Sequence, residues 1–231
     1  MWIPFFISSL FLLLLLEVLG FVLSRMMRFC RLDSILIAPL FSIALLEIVS
    51  IVISKLGIFA TWVNLCLISF ILAAIFLSCR LIDCSRKATM TESFFGHSNW
   101  VVLFLYCGVA FVVATKIFLL PLDGPSSFIQ DSDNSFHLAV IRSFLDVGDF
   151  STFNVGLYHD VPSSSILSIA NGFYPAAWHL LAALVASFSG QDVAFAANVT
   201  NYVMVLFVFP SSVLLFFKTV FRDDLGVVVA G

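Results

Sequence analysis

The sequence predicts an all-α fold: a polytopic bundle of transmembrane helices with a polar, extracytoplasmic loop that contains an amphipathic helix. Composition is the first reason, because 61% of the 231 residues are hydrophobic and 11% are charged, whereas soluble domains carry roughly 25% charged residues. The second reason is that apolar runs recur at about 20 residues, the length at which a helix crosses a bilayer. The net charge of −3 and the absence of a basic run exclude nucleic acid as a partner. The lipid bilayer is therefore the predicted surrounding of most of the chain.

The apolar runs define the predicted helices in order. Residues 174–231 hold a fifth helix over about 174–189 and a sixth over about 193–217, after a polar interval at residues 121–173. The fifth helix is short for a full span, so it either matches a thin region or is only partly embedded. The chain ends on "LGVVVAG", which resembles the first half of a seventh span, so we expect the sequence to be truncated there. Four spans fill residues 1–120, at Trp2–Ser24, Ser34–Ser54, Ile58–Ser78 and Trp100–Leu120.

Basic residues set the predicted orientation, because Lys and Arg concentrate on the cytoplasmic side of a membrane. The loops after the first and third spans are basic, so they are assigned to the cytoplasm and residues 121–173 to the outside. That interval carries several aspartates against one basic residue, Arg142. Lys218 and Arg222 disagree, since they would lie outside if the fifth and sixth helices both cross. The basic residues of the two loops are Arg25, Arg28, Arg31, Arg80, Arg86 and Lys87.

The polar interval contains a predicted amphipathic helix over residues 133–147. Asp133 can act as its N-cap, and Gly148 is a natural stop after it. The helix would lie flat on the outer membrane surface. Asp133 and His137 are one turn apart and can meet, and Asp131 lies just before the helix. Its apolar face comprises Phe136, Val140, Ile141, Phe144 and Leu145.

The chain is predicted to enter the membrane again at "YPAAWH". Pro175 suits the first position of a helix, where no backbone N–H is needed. Tyr174 and Trp178 fit an aromatic belt at the membrane interface. His179 would lie just inside the boundary, where a histidine should face protein or a water-filled cavity.

Acidic and imidazole side chains therefore converge on one membrane face. A carboxylate there could take a proton from an acceptor hydroxyl as a general base. Asp131 and Asp133 together could instead hold a divalent cation, Mg²⁺ or Mn²⁺, that neutralises a phosphate leaving group. Taken singly, each residue has a structural explanation: a helix cap, a solvated acid, a surface histidine and a packing histidine.

These features resemble membrane glycosyltransferases of the GT-C fold. The resemblance consists of a D-x-D motif after a transmembrane helix, a nearby histidine, an amphipathic helix, a Gly-Asp turn and the "YP…H" segment, and it covers about residues 119–217. More narrowly, the chain is similar to poorly characterised actinobacterial multi-pass membrane proteins related to that class. It departs from the GT-C pattern in having four helices, rather than one, before the acidic loop.

The resemblance implies a function and a set of site residues. A sugar would pass from a polyprenyl-phosphate donor to a cell-envelope acceptor, a glycan or protein, outside the cytoplasm. The implied catalytic residues are Asp131, as the base or metal contact, with Asp133 and His137. The implied substrate-binding residues are Tyr174, Pro175, His179 and Arg142.

Two other functions stay open at this point. In a transporter or lipid-handling protein, Glu17, Glu47 and His179 would line a pathway, since ionisable residues inside a membrane are expensive and functional. In a non-catalytic scaffold, the acidic loop would be a solvated surface. The sequon at Asn198 lies in an apolar span, so glycosylation is not expected there.

Overall fold

The all-α prediction is confirmed by a computed structural model, which describes residues 2–83, 98–128, 132–155 and 173–221. Asp131, Arg86, Lys87 and Arg222 lie outside the described residues. A π-helical segment, Ala114–Leu119, extends α4, and another, Met204–Val208, joins α7 to α8. The α-helices are α1 Trp2–Met26, α2 Arg31–Lys55, α3 Trp62–Asp83, α4 Ser98–Val113, α5 Ser132–Val147, α6 Ala177–Ser189, α7 Val193–Val203 and α8 Phe209–Val220.

Several of these helices are long and apolar enough to cross a membrane, which identifies an integral multi-pass membrane protein. Helix α6 is not among them, because its 13 residues extend for about 20 Å against a hydrocarbon core of about 30 Å. The described apolar part of α3, Trp62–Ser78, is also shorter than the candidate spans. The four candidate spans in the described residues are Trp2–Met26, Arg31–Lys55, Val101–Leu119 and Val193–Val220.

The chain forms two compact units. Unit 1 comprises Met1–Leu12, Ile43–Ser69 and Leu122–Asn201, and it contains α5 and α6. Unit 2 comprises Leu13–Ser42, Phe70–Pro121 and Tyr202–Gly231. Each unit has its own packing and is described by itself.

In unit 1, the end of α5 is fastened to the turn between α2 and α3. Gly148 follows α5 with a φ of +67°, and a Cβ there would collide with the ring of Phe59. The carbonyl of Gly148 accepts a 2.7 Å hydrogen bond from the backbone of Ala60. The Asp149 carboxylate accepts one of 2.9 Å from the Ser54 hydroxyl. These contacts fix where α5 ends and therefore how it is directed.

The residues after α4, also in unit 1, are fastened to the start of α7. The buried Asn198 amide donates to the carbonyls of Pro125 and Ser127, at 3.0 and 2.8 Å. The Ser126 hydroxyl donates to Asp192 at 2.7 Å. The Asn198 amide is thus engaged inside the fold.

In unit 2, α1 and α2 approach closely at small residues. A Cβ on Gly20 would lie 1.7 Å from the carbonyl oxygen of Ala38, so only glycine fits there. The Ser42 hydroxyl donates a hydrogen bond to the carbonyl of Leu16. The start of α2, the start of α4 and helix α8 share an apolar cluster of Leu32, Leu36, Val102, Leu103 and Leu214.

Lys218, near the end of α8, forms a largely buried ion pair with Asp33, near the start of α2. Both residues belong to unit 2. The pair places the end of α8 beside the basic turn that joins α1 to α2. Lys218 therefore lies on the same side of unit 2 as the basic residues of that turn.

Helix α5 starts earlier, and helix α6 starts later, than the sequence predicted. Helix α5 begins at Ser132, so Asp133 lies inside its first turn and is not the N-cap. Helix α6 begins at Ala177, so Pro175 precedes it and is not its first residue. For α6 the physical reason is Thr152, whose carbonyl accepts the Tyr174 N–H at 2.9 Å. The residue before a proline also avoids helical dihedrals.

The close approach of α1 and α2 yields a stability prediction. Gly20→Ala should lower the free energy of unfolding by about 1–3 kcal/mol, because the methyl group meets backbone that cannot move aside. Gly108→Ala in α4 is the matched control, since a Cβ there meets nothing within 4 Å. The control should leave stability unchanged or raise it by up to about 1 kcal/mol. Thermal unfolding in detergent measures both, and equal stability of the two variants would contradict the assigned contact.

Candidate functional site

Helices α5 and α6 of unit 1 pack against each other. Helix α5 is amphipathic as predicted: Val140, Ile141 and Phe144 are buried, while Arg142 and Asp146 are exposed. Helix α6 is buried from His179 to Ala186. The junction of the two helices is therefore an apolar contact, and the polar groups within it need partners.

A histidine from each helix provides such a partner. The Nδ1 atom of His137 on α5 lies 2.8 Å from the Nε2 atom of His179 on α6, a hydrogen-bond distance. His137 is partly exposed, and His179 is only 3% exposed. One nitrogen must donate and the other must accept, so the bond exists only while at least one of the two rings is neutral.

Asp133 indicates which ring donates. Its Oδ1 atom lies 3.6 Å from Nε2 of His137, one helical turn away. A carboxylate favours a proton on the nitrogen that faces it, so we assign the hydrogen of neutral His137 to Nε2. Nδ1 of His137 then accepts, and His179 donates through its own Nε2–H. This assignment leaves a lone pair on Nδ1 of His179.

That Nδ1 atom is buried and has no hydrogen-bond partner among the residues that the structure describes. Burial lowers the pKa of His179 to about 4, and the neighbouring His137 ring adds to the effect. His179 is therefore neutral near pH 7. An unpaired buried nitrogen is costly, so a partner for it is to be expected in the working protein.

Aromatic rings enclose the histidine pair. The ring centre of Trp178 lies 5.0 Å from that of His179 and 5.9 Å from that of His137. Tyr174 lies 5.5 Å from His179, and Phe136 lies 5.5 Å from Tyr174. The Trp178 indole donates a 2.9 Å hydrogen bond to Asn201 on α7, which holds the ring in place.

The structure thus brings together Asp133, His137, His179 and Tyr174, all expected from the sequence to belong to the site. Arg142 is not among their contacts. It lies five residues beyond His137, about 140° around the helix, and it pairs with Asp146 at 3.0 Å on the exposed side of α5. Pro175 is exposed beside Tyr174.

Sequence reasoning missed several features of the site. The direct bond between two histidines that are 42 residues apart is one of them. The support that Asn201 gives to Trp178 is another. The one available signal was local, since an aromatic residue directly precedes each histidine, at Phe136 and Trp178.

Acidic side chains elsewhere in the described residues do not form a metal centre. Within those residues, no group of three or more His, Cys, Asp or Glu side chains could hold a metal ion. Asp131, half of the predicted acidic pair, lies outside them. In the described part of the chain, Oε1 of Glu17 and Oε1 of Glu47 are buried without a hydrogen-bond partner.

Comparison with known proteins places the chain in a family. The model of a family of unknown function, DUF6541, matches residues 13–231. The chain therefore belongs to this family. No curated protein and no solved structure matches the chain. The match supports the multi-pass membrane character and carries no link to glycosyltransferases.

The histidine pair yields a prediction that a double-mutant cycle can test. His137→Ala, His179→Ala and the double variant should give a coupling energy of about 1 kcal/mol in the free energy of unfolding. Each single substitution already removes the hydrogen bond, so the double variant does not lose it a second time. Asp133 and His137 form the control pair. Their exposed, 3.6 Å contact should give a coupling below about 0.5 kcal/mol. A histidine coupling as small as that of the control pair would argue against the bond.

Proposed function

We propose that this member of the DUF6541 family is a membrane glycosyltransferase of the GT-C type. It would transfer a sugar from a polyprenyl-phosphate donor to a cell-envelope acceptor outside the cytoplasm. The observation that carries the proposal is the contact series from Asp133 through His137 to His179. A carboxylate and two imidazoles in contact suit the removal of a proton from a hydroxyl nucleophile.

The surroundings of these residues favour a lipid-linked substrate. Tyr174 and Trp178 offer ring faces next to the histidines. Phe173, directly before Tyr174, is 68% exposed and contacts the exposed Phe153, with ring centres 5.6 Å apart. An exposed aromatic pair beside the polar residues suits the prenyl chain of a donor, whose phosphate would remain at the polar residues.

The acidic residues divide between two roles in this proposal. Asp133 faces His137, so it is suited to act with the imidazoles. Asp131 would contact the donor phosphate through a Mg²⁺ or Mn²⁺ ion, or act as a base itself. Tyr174, Pro175 and Arg142 would bind substrate, Arg142 after exchanging Asp146 for a phosphate.

The proposed membrane orientation rests on the ion pair of Lys218 with Asp33. This pair groups Lys218 with Arg25 and Arg31 at the turn between α1 and α2. Helix α4 starts there as well, since Val102 shares the apolar cluster with Leu32. Under the positive-inside rule this side is cytoplasmic, and the apparent conflict of Lys218 with the rule disappears.

The other side would then hold the acidic loop. Helix α4 leads away from the cytoplasm, and the Val193–Val220 helix leads back to Lys218. The hydroxyl of Ser126, which follows α4, donates a hydrogen bond to Asp192, which precedes α7. The two ends of the intervening chain therefore lie next to each other. The chain that contains α6 would therefore enter the membrane region and leave it again on the same, extracytoplasmic side. The full crossing by this helix that was considered from the sequence would not occur.

A second candidate function is transport. The observation in its favour is that Glu17 and Glu47 each keep a buried carboxyl oxygen without a hydrogen-bond partner in the described residues, inside membrane-spanning helices. Such residues commonly mark ion or substrate pathways. In that case Glu47→Gln would impair function more than any change in the acidic loop.

Sugar transfer can be tested in membrane vesicles that contain the chain. The vesicles receive polyprenyl-phosphate hexoses and pentoses with ¹⁴C in the sugar, and label in the washed glycan and protein fractions is counted. Asp131→Asn should lower the rate at least about 100-fold, because a general base or its cation is lost. Asp123→Asn, an exposed loop carboxylate, is the matched control and should keep the rate. Equal, negligible effects of Asp131→Asn, Asp123→Asn and Glu47→Gln would refute the catalytic assignment.

The orientation can be tested with single cysteines in a variant that lacks the native ones. Asp123→Cys and Gln191→Cys, both at exposed positions, should react with a membrane-impermeant maleimide in intact cells. Thr219→Cys, next to Lys218 and also exposed, should react only after permeabilisation. If Gln191→Cys behaves like Thr219→Cys, then α6 crosses the membrane and the proposed topology is wrong.

A further inference from the structure

We propose that Asp133, His137 and His179 form a proton relay that accepts a proton at the buried Nδ1 of His179 and releases it at the exposed Asp133. The inference rests on the proposed transfer reaction and names its proton acceptor. It gives His179 the part of general base and leaves Asp131 to contact the donor phosphate. The acceptor substrate would be a hydroxyl compound whose O–H group reaches Nδ1 directly or through one water molecule.

Burial decreases in order along the line of three residues. His179 is 3% exposed, the His137 side chain is 31% exposed and the Asp133 side chain is 79% exposed. The contacts follow the same order, at 2.8 Å between the imidazoles and 3.6 Å from imidazole to carboxylate. The three groups therefore lead from the interior of unit 1 to solvent. The first link is a hydrogen bond, and the second is a contact slightly longer than one.

The resting positions of the hydrogens also suit a relay. With Asp133 ionised, both imidazoles carry their hydrogen on Nε2. His179 then donates to His137, and His137 faces the carboxylate with its own N–H. The free lone pair is on Nδ1 of His179, the buried atom that lacks a partner among the described residues. Only in this tautomer pair does Nδ1 of His179 have a free lone pair while an N–H group of His137 faces the carboxylate.

The transfer step balances in atoms and charge. The acceptor O–H bond breaks, its proton binds Nδ1 of His179, and its oxygen bonds to the anomeric carbon of the donor. The bond from that carbon to the phosphate oxygen breaks, and polyprenyl phosphate leaves. The Nε2 proton of His179 then passes to Nδ1 of His137, and the Nε2 proton of His137 passes to Asp133 or water.

A purely structural role would leave one feature without a reason. A packing bond between α5 and α6 needs one donor and one acceptor, and an amide could supply either. It does not need a second basic nitrogen buried beside Tyr174 and Trp178 without a partner in the described part of the chain. Among the described residues, Asp133 and Tyr174 are the titratable side chains seen in contact with the pair, and the other rings against it, Phe136 and Trp178, are uncharged.

The resting hydrogens can be observed without any substrate. Solid-state NMR of ¹⁵N-histidine-labelled protein in lipid bilayers at pH 7 distinguishes protonated from unprotonated ring nitrogens. We expect His179 to show a bare Nδ1 and a protonated Nε2, and His137 to show the same tautomer. Assignment uses His137→Asn and His179→Gln. A hydrogen on Nδ1 of His179 would overturn the relay, because the buried nitrogen could not accept a proton.

The same two variants test the relay in the transfer assay. The Asn amide oxygen replaces Nδ1 of His137 as an acceptor, and the Gln amide nitrogen replaces Nε2 of His179 as a donor. Both keep the bond between α5 and α6 but pass no proton. Transfer should fall at least about 100-fold, with kcat affected more than KM and with unfolding temperatures near that of the parent protein. His159→Gln, which lies outside the described residues, is the histidine control and should keep the rate.

The outcomes separate this inference from the proposed function. Transfer by the parent protein together with parent-like rates in both amide variants would support the transferase and refute the relay. No transfer by the parent protein from any donor would refute the proposed function and, with it, the relay. A hydrogen on Nδ1 of His179 in a protein that does transfer sugar would refute the relay alone. Transfer that depends on both histidines would support the transferase and the relay together. The decline of the transfer rate at low pH should then disappear in His179→Gln.

Discussion

The arrangement around the candidate site depends on the hydrogen bond between His137 and His179. Helices α5 and α6 meet through apolar side chains, which supply most of their buried contact. A 2.8 Å bond between two rings adds a directional constraint to that packing, because hydrogen bonds weaken steeply with misalignment. It also restricts chemistry, since it requires a neutral ring and particular tautomers. Position and proton placement are therefore set by one contact.

Contacts at some distance make that bond possible. Thr152 holds Tyr174 and Ala176, so α6 starts where His179 reaches α5. Gly148 and Asp149 fasten the other end of α5 to the turn after α2. Each of these contacts restricts a motion of α5 or α6 that would separate the two rings. The site is held in the way that precise sites generally require, by support on rigid elements.

The sequence was sufficient for features that depend on neighbouring residues and insufficient for those that depend on distant ones. Apolar length predicted the membrane helices, and the spacing of Val140, Ile141 and Phe144 predicted the buried face of α5. The predicted start of α6 was wrong by three residues because Thr152, distant in the chain, bonds to Tyr174 ahead of the helix. The histidine pair and the partner of Lys218 were out of reach for the same reason. Asp131 stays a prediction.

The Val193–Val220 helix has a further consequence for depth. Its 28 residues extend for about 42 Å, roughly 12 Å more than the hydrocarbon core. Hydrophobic mismatch of this size is relieved by tilting or by letting one end project. Projection at the start of the helix would lift Asn198 and Asn201 out of the hydrocarbon, where their amides are inexpensive. Asn201 holds Trp178 against both histidines, so any displacement of the start of this helix would be passed on to the histidine pair.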